Sequence, residues 1–169
     1  VGAALAAEVG PVELCVTPAR DDDAWPAEIL SAPVTWSEQG EGDLGRRLAR
    51  VTRRVIDSGE SVLLVGADCP ELNAARLKQA GRSLRHYEAA MFPTADGGYA
   101  LLGLNRFDPS LFASIAWSTN VVAQETLRRL ALLNWTVKTH AVLHDIDRPA
   151  DLKWLPKSWA KSAPLRTAL

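Results

Sequence analysis

The residues best suited to chemistry in this sequence are aspartates placed just after hydrophobic runs. Asp68 stands in Gly66-Ala67-Asp68-Cys69-Pro70, directly behind the apolar stretch Ser61-Val62-Leu63-Leu64-Val65-Gly66. A carboxylate at the end of a strand has a fixed backbone and faces the edge where α/β sheets gather their ligands. It can hold Mg2+ or Mn2+, hard cations that take oxygen ligands and neutralise a diphosphate. The structural alternative is a helix cap, but Asn73 is better placed to cap the helix that follows. A second group lies in His144-Asp145-Ile146-Asp147-Arg148-Pro149-Ala150-Asp151-Leu152. Asp145 and Asp147 alternate onto one side of an extended segment, and two carboxylates that close repel unless a cation lies between them. Asp147 or Asp151 could instead serve the N-terminus of the short helix that Pro149 opens, and for Asp151 that is the preferred reading.

Two glycine-containing segments are weaker signals. In Asp96-Gly97-Gly98-Tyr99 the glycines permit positive φ and close approach to a ligand, although the same residues make an ordinary hairpin turn. Gln39-Gly40-Glu41-Gly42-Asp43-Leu44-Gly45-Arg46-Arg47 puts glycines and polar groups ahead of a helix N-terminus, where free amides favour anions, but it lacks the spacing of a Walker or Rossmann loop. His86, His140 and His144 show no metal-ligand spacing, Ser118 has no GxSxG setting, and the six tryptophans read as packing residues.

The elements that must position these groups alternate. Val12 to Thr17 reads as a strand, followed by a surface connection from Ala19 to Pro33 in which Asp21-Asp22-Asp23 is solvated. Leu44, Leu48, Val51, Val55 and Ile56 recur at helical spacing from Asp43 to Ser58-Gly59. The run from Ser61 to Gly66 predicts a central strand covered on both faces. A helix from Ala74 to Ser83 follows, then strands from His86 to Phe92 and Tyr99 to Leu104 joined as a hairpin. Ser118 or Thr119 starts a helix to Leu133, Thr136 to Leu143 is a strand, and Ala150 to Trp154 a short helix. Val1 to Val9 reads as the last turns of a helix. This alternation predicts a layered α/β domain with a mixed sheet.

The chain has 169 residues, 47% of them hydrophobic and 23% charged, with a net charge of −1. That size fits one domain, and the charge balance gives no reason to bind nucleic acid or an anionic membrane. No apolar run is long enough to span a bilayer and no signal peptide is evident, so a cytoplasmic location is expected. Cys15 and Cys69 have no CxxC spacing and read as two buried thiols.

In their order, Gln39 to Gly45, Gly66 to Pro70, Asp96 to Tyr99, Trp117-Ser118-Thr119 and Asp145 to Leu152 resemble the bacterial DUF2064 proteins. These are glycosyltransferase-like proteins, described as selenodomain-associated, within the GT-A nucleotide-diphospho-sugar transferase superfamily. The resemblance spans roughly Pro11 to Trp154. It implies a three-layer, Rossmann-like GT-A fold with a mostly parallel mixed sheet. It implies also a metal site in which Asp68 plays the DxD-type part with Asp147 as partner and Asp145 in support. By the same analogy the Asp96-Gly97-Gly98 turn faces acceptor or sugar, and Gly42 and Asp43 help build the nucleotide side. Asp96 and Asp145, with Asp43, are candidates for the catalytic base. Such proteins usually begin with a strand and a basic loop carrying Lys-Ala-Pro and Lys-Thr-Arg-Leu, neither of which occurs here. The expectation is therefore one N-terminally incomplete domain over residues 1–155 and a tail over 156–169. Arg148 stands where the pattern commonly has Thr, so Asp147 is the expected substitute cap.

The function expected is metal-dependent transfer from a nucleotide sugar to a small-molecule acceptor. Alternatives are a nucleotidyltransferase using a nucleoside triphosphate and a phosphorylated substrate, or a non-catalytic binding or scaffold protein.

Overall fold

A computed structural model describes residues 1–18 and 25–156. The Asp21-Asp22-Asp23 triplet and the tail from residue 157 lie outside the described residues. The helices are α1 (Gly2–Ala7), α2 (Ala27–Leu30), α3 (Leu44–Asp57), α4 (Ala74–Ser83) and α5 (Val122–Leu132). The strands are β1 (Glu13–Val16), β2 (Thr35–Glu38), β3 (Val62–Val65), β4 (Ala89–Pro93), β5 (Tyr99–Leu104) and β6 (Val137–Thr139), with 3-10 turns at Pro109–Leu111 and Pro149–Trp154.

The strands form two ladders. β1 and β2 pair in parallel, and the other four follow the order β3-β5-β4-β6. β5 runs antiparallel to both β3 and β4, while β4 and β6 are parallel, so β3, β4 and β6 point one way. Their carboxyl ends, and the loops that leave them, therefore share one edge of the sheet.

β4 lies between two neighbours and is apolar throughout: Ala89, Ala90, Met91 and Phe92 are all buried. A strand buried on both faces has no use for alternation. Ala90 and Phe92 pack with Leu77, Ala80, Leu84 and Ala7 beneath α1 and α4. Ala89 and Met91 pack with Leu102, Leu104, Ala123 and Leu130 on the side of α3 and α5. Helices thus cover both faces, giving the three layers expected. At the far end of the hairpin Phe92 pairs with Leu101 but Pro93 with Tyr99, leaving Ala100 as an extra residue. This bulge turns both Ala100 and Leu101 toward α4, next to the Asp96 turn.

The Asn73 cap agrees with the sequence, and Asp43, read there as a residue of the nucleotide side, caps α3. Asp43 accepts from the Arg46 amide at 2.8 Å and Asn73 from the Arg76 amide at 3.1 Å. Other expectations need correction. β3 is an edge strand among the described residues, not a central one, and Val65 is 48% exposed. β2 was not anticipated, because Thr35-Trp36-Ser37-Glu38 is too polar to stand out. α5 starts at Val122, since Ser118 takes a left-handed φ of 60° and the segment before the helix packs on the Asp96 turn. The last strand regularises only over Val137–Thr139, and His86 to Glu88 precede the strand, which starts at Ala89. Cys69 is buried, but Cys15 is only half-buried. Asp147 does not cap the last helical turn: the Asp151 carboxylate accepts from the Arg148 amide at 2.9 Å. No helix among the described residues is long and apolar enough to cross a membrane.

Candidate active site at the carboxyl edge of the sheet

Three segments leave the shared edge and carry the acidic residues. Asp68 follows β3, Asp96 follows β4, and Asp145 and Asp147 follow β6. They are joined by main-chain bonds. The Asp68 carbonyl accepts from the Ile146 amide at 2.9 Å, and the Ala95 amide donates to the Leu143 carbonyl at 2.9 Å. A bridge between Thr94 and Leu143 prolongs the pairing of β4 with the chain beyond β6.

One carboxylate oxygen from each of Asp96, Asp145 and Asp147 lies within 4.8 Å of the others. Asp68 is not one of these three but is near enough for its charge to act on Asp145. Burial pushes the Asp145 carboxyl above its ordinary range, and the charges of Asp96, Asp147 and Asp68 push the same way, against a backbone hydrogen bond. Hard oxygen donors that crowd and repel are suited to Mg2+ or Mn2+. With donor oxygens no more than 4.8 Å apart, Asp96, Asp145 and Asp147 are the residues that would hold such an ion.

Asp96 is held by its turn. Its Oδ1 accepts from the Thr94 hydroxyl at 2.5 Å and from the Gly98 amide at 2.9 Å. Gly97 has φ of 95°, and a Cβ there would stand 2.0 Å from the Asn120 carbonyl oxygen. Its own carbonyl accepts from the Ala123 amide at 2.9 Å. The turn is thereby pinned to the start of α5, and glycine is needed at 97 for packing as well as for φ. At Gly66 a Cβ would lie 3.0 Å from Asp68 Oδ1, so a side chain there would crowd that carboxylate.

Glu71 is a further residue of the site with no sequence signal, because its partner is 73 positions away. It accepts from the His144 amide at 2.8 Å and pairs with His144 Nδ1 at 3.0 Å. Burial alone would raise its pKa, but the His144 hydrogen bonds and the Arg76 charge hold it below the ordinary carboxylate range. The Cys69 thiol donates to the His144 carbonyl at 3.3 Å, and burial pushes that thiol's pKa up. The His144 ring stacks on Trp154, with centroids 3.6 Å apart. The loop after β3 is thus clipped to the loop that carries Asp145 and Asp147.

A cavity of about 2,010 Å³ opens beside the carboxylates, with Asp68, Asp96, Gly98, Asp145 and Asp147 on its wall and Gln39 and Arg47 among its other lining residues. Gly97, Gly42 and Asp43 are not on that wall. Asp43 is the α3 cap, and Gly42, with φ of 103°, gives its carbonyl to Arg47 Nε at 2.8 Å. Arg47 also donates to Gln39 Oε1 at 2.9 Å, so one guanidinium both organises this loop and lines the cavity.

The structure matches the protein named "putative nucleotide-diphospho-sugar transferase" from Desulfovibrio desulfuricans G20, with a TM-score of 0.77 and 27% identity. The match covers 94% of this chain and 70% of that one. A family model described as "Uncharacterized protein conserved in bacteria (DUF2064)" matches residues 1–119, and the chain belongs to that family. No curated protein matches the sequence significantly.

Proposed function

We propose that this protein is a divalent-metal-dependent transferase acting on a nucleotide-diphospho-sugar donor. The observation that supports this most is the approach of Asp96, Asp145 and Asp147 from two separate strand ends, with Asp68 beside them. Asp145, Asp147 and Asp96 would hold Mg2+ or Mn2+, and Asp68 would be a fourth oxygen donor at the rim. A bound cation there would offset the charge that develops on a departing nucleoside diphosphate. Arg47, on the wall of the same cavity, would contact the diphosphate, and the turn at Asp96 to Gly98 would face the sugar or the acceptor. Gly42 and Asp43 act through the loop and helix end that hold Arg47 in place. Asp96 and Asp145 would then serve chiefly as metal ligands rather than as a catalytic base.

A product assay with Mn2+ and a panel of UDP- and GDP-sugars tests the reading against nucleoside triphosphates with sugar phosphates. Release of nucleoside diphosphate from the sugar nucleotides supports it. Pyrophosphate release from triphosphates alone would replace it with nucleotidyl transfer, and turnover of neither by the complete protein would favour a binding or scaffold role.

A further inference from the structure

The segment Trp117-Ser118-Thr119-Asn120 joins the two halves of the candidate site. At one end the Trp117 indole packs on the first turn of α3. A Cβ at Gly45 would stand 2.7 Å from its Nε1 and 2.4 Å from the Phe112 carbonyl oxygen, so glycine lets the helix come this close, two residues before Arg47. At the other end the Asn120 carbonyl lies against Gly97, beside Asp96. The Trp117 amide donates to the Ile115 carbonyl at 2.9 Å, and the Thr119 hydroxyl to the Ala116 carbonyl at 2.6 Å. Ser118 is therefore fixed from both sides.

Ser118 is exposed and lines the cavity together with Thr94, Asp96, Gly98, Asp145 and Asp147. Its hydroxyl has no hydrogen-bond partner among the described residues. Its φ of 60° lies in the left-handed region, unfavourable for a residue with a side chain. Glu8, Ser114 and Asn134 share that region, and each has a local cause. Glu8 and Asn134 follow the ends of α1 and α5, where a left-handed residue closes a helix. The Ser114 carbonyl is gathered with those of Ser110 and Ala113 by the Arg129 guanidinium. Nothing comparable holds Ser118. A residue kept in an unfavourable conformation by the packing around it, with its polar group unused, is an outlier of the kind that clusters at ligand sites.

The chemistry narrows the ligand. The four residues carry no charge, so they are poorly suited to grip a phosphate, whereas a serine hydroxyl both donates and accepts, as a sugar hydroxyl does. Position agrees. Two residues of chain reach at most about 7 Å, which keeps Ser118 near the contact at Gly97 and hence near the carboxylates. A sugar carried on a diphosphate begins directly beyond the phosphate that a cation there would hold. We infer that Ser118 recognises the sugar of the donor, its hydroxyl bonding a ring hydroxyl beside the acidic cluster. Trp117 and Asn120 are the positioning residues that hold it there. The inference rests on the nucleotide-sugar reading of the carboxylate edge and adds to it a residue that selects the sugar.

Calorimetric titration in the presence of Mn2+ tests it, with UDP and GDP alone and with UDP-glucose, UDP-N-acetylglucosamine and GDP-mannose. For the sugar nucleotide that the wild type binds most tightly, Ser118→Ala should weaken affinity about 10-fold, with affinity for the bare nucleoside diphosphate and the Tm both unchanged. Ser118→Gly, which relieves the left-handed φ, should lose the same affinity with its Tm unchanged or raised, separating loss of the hydroxyl from damage to the fold. Unchanged sugar-nucleotide affinity in both variants overturns the inference and leaves the metal-dependent reading standing. An equal loss for the bare diphosphate also overturns it, by assigning Ser118 to the phosphates. A wild type that binds neither diphosphate nor sugar nucleotide with Mn2+ defeats the nucleotide-sugar reading, and this inference with it.

Discussion

Gly97 carries two burdens that a substitution would separate. Gly97→Ala should cost about 2–3 kcal/mol in urea unfolding, because a side chain there meets the Asn120 carbonyl as well as an unfavourable φ. Gly59→Ala is the control: its φ is 85° but nothing lies within 4 Å, so only about 1 kcal/mol is expected. Equal losses would refute the packing role. Asp145 poses the opposite trade. Its carboxyl is held above its ordinary pKa of 3.8, so its ionised form weakens the metal-free fold above the folded pKa, and the penalty disappears as pH falls through that pKa toward 3.8. Asp145→Asn should raise the metal-free protein's Tm at neutral pH and flatten this part of the pH profile. The same variant should lose Mn2+ binding. A site that weakens the fold when empty is what a functional constellation is expected to do.

The elements place these residues, and their joints can be tested separately from the chemistry. Glu71 clips the loop after β3 to the loop after β6, and Glu71→Ala should weaken Mn2+ affinity about 10-fold through loss of that orientation. Glu71→Gln, which keeps an acceptor, should lose less. Because the folded pKa of Glu71 is depressed below its ordinary 4.5, its contribution to stability is present above pH 4.5 and is lost as pH falls through the folded value. Acid titration of the wild type against Glu71→Gln by circular dichroism would show it. Asp43 caps α3, and Asp43→Ala should cost about 1 kcal/mol while Asp43→Asn, also a good cap, costs little. Loss of nucleotide binding in Asp43→Asn at full stability would instead assign Asp43 a direct contact.

These elements were unevenly legible. α4 could be read to the residue at its start because capping is local chemistry, α3 from its apolar spacing, and the β4–β5 hairpin because its turn residues are specific. β2 was missed since a short polar strand is made by its partner, not by its own sequence. At the site, the two carboxylates after β6 and the Asp96 turn were visible one by one. Their convergence, and the link from Glu71 to His144, depend on pairings between strands far apart in sequence, which no local pattern encodes.

At the scale of the whole molecule, three strands running one way bring their ends to a single edge, and the carboxylates lie there. The chain belongs to the DUF2064 family and is similar to a structure named as a nucleotide-diphospho-sugar transferase, and metal binding by the acidic cluster is the part that must be true for the proposal to hold. Isothermal titration of Mn2+ into the complete protein, with a nucleoside diphosphate present, measures it directly. The account predicts one Mn2+ per chain, with binding abolished in the Asp96→Asn, Asp145→Asn, Asp147→Asn triple variant while the circular dichroism spectrum is unchanged. Undiminished binding in that variant, or no binding by the wild type, would contradict it.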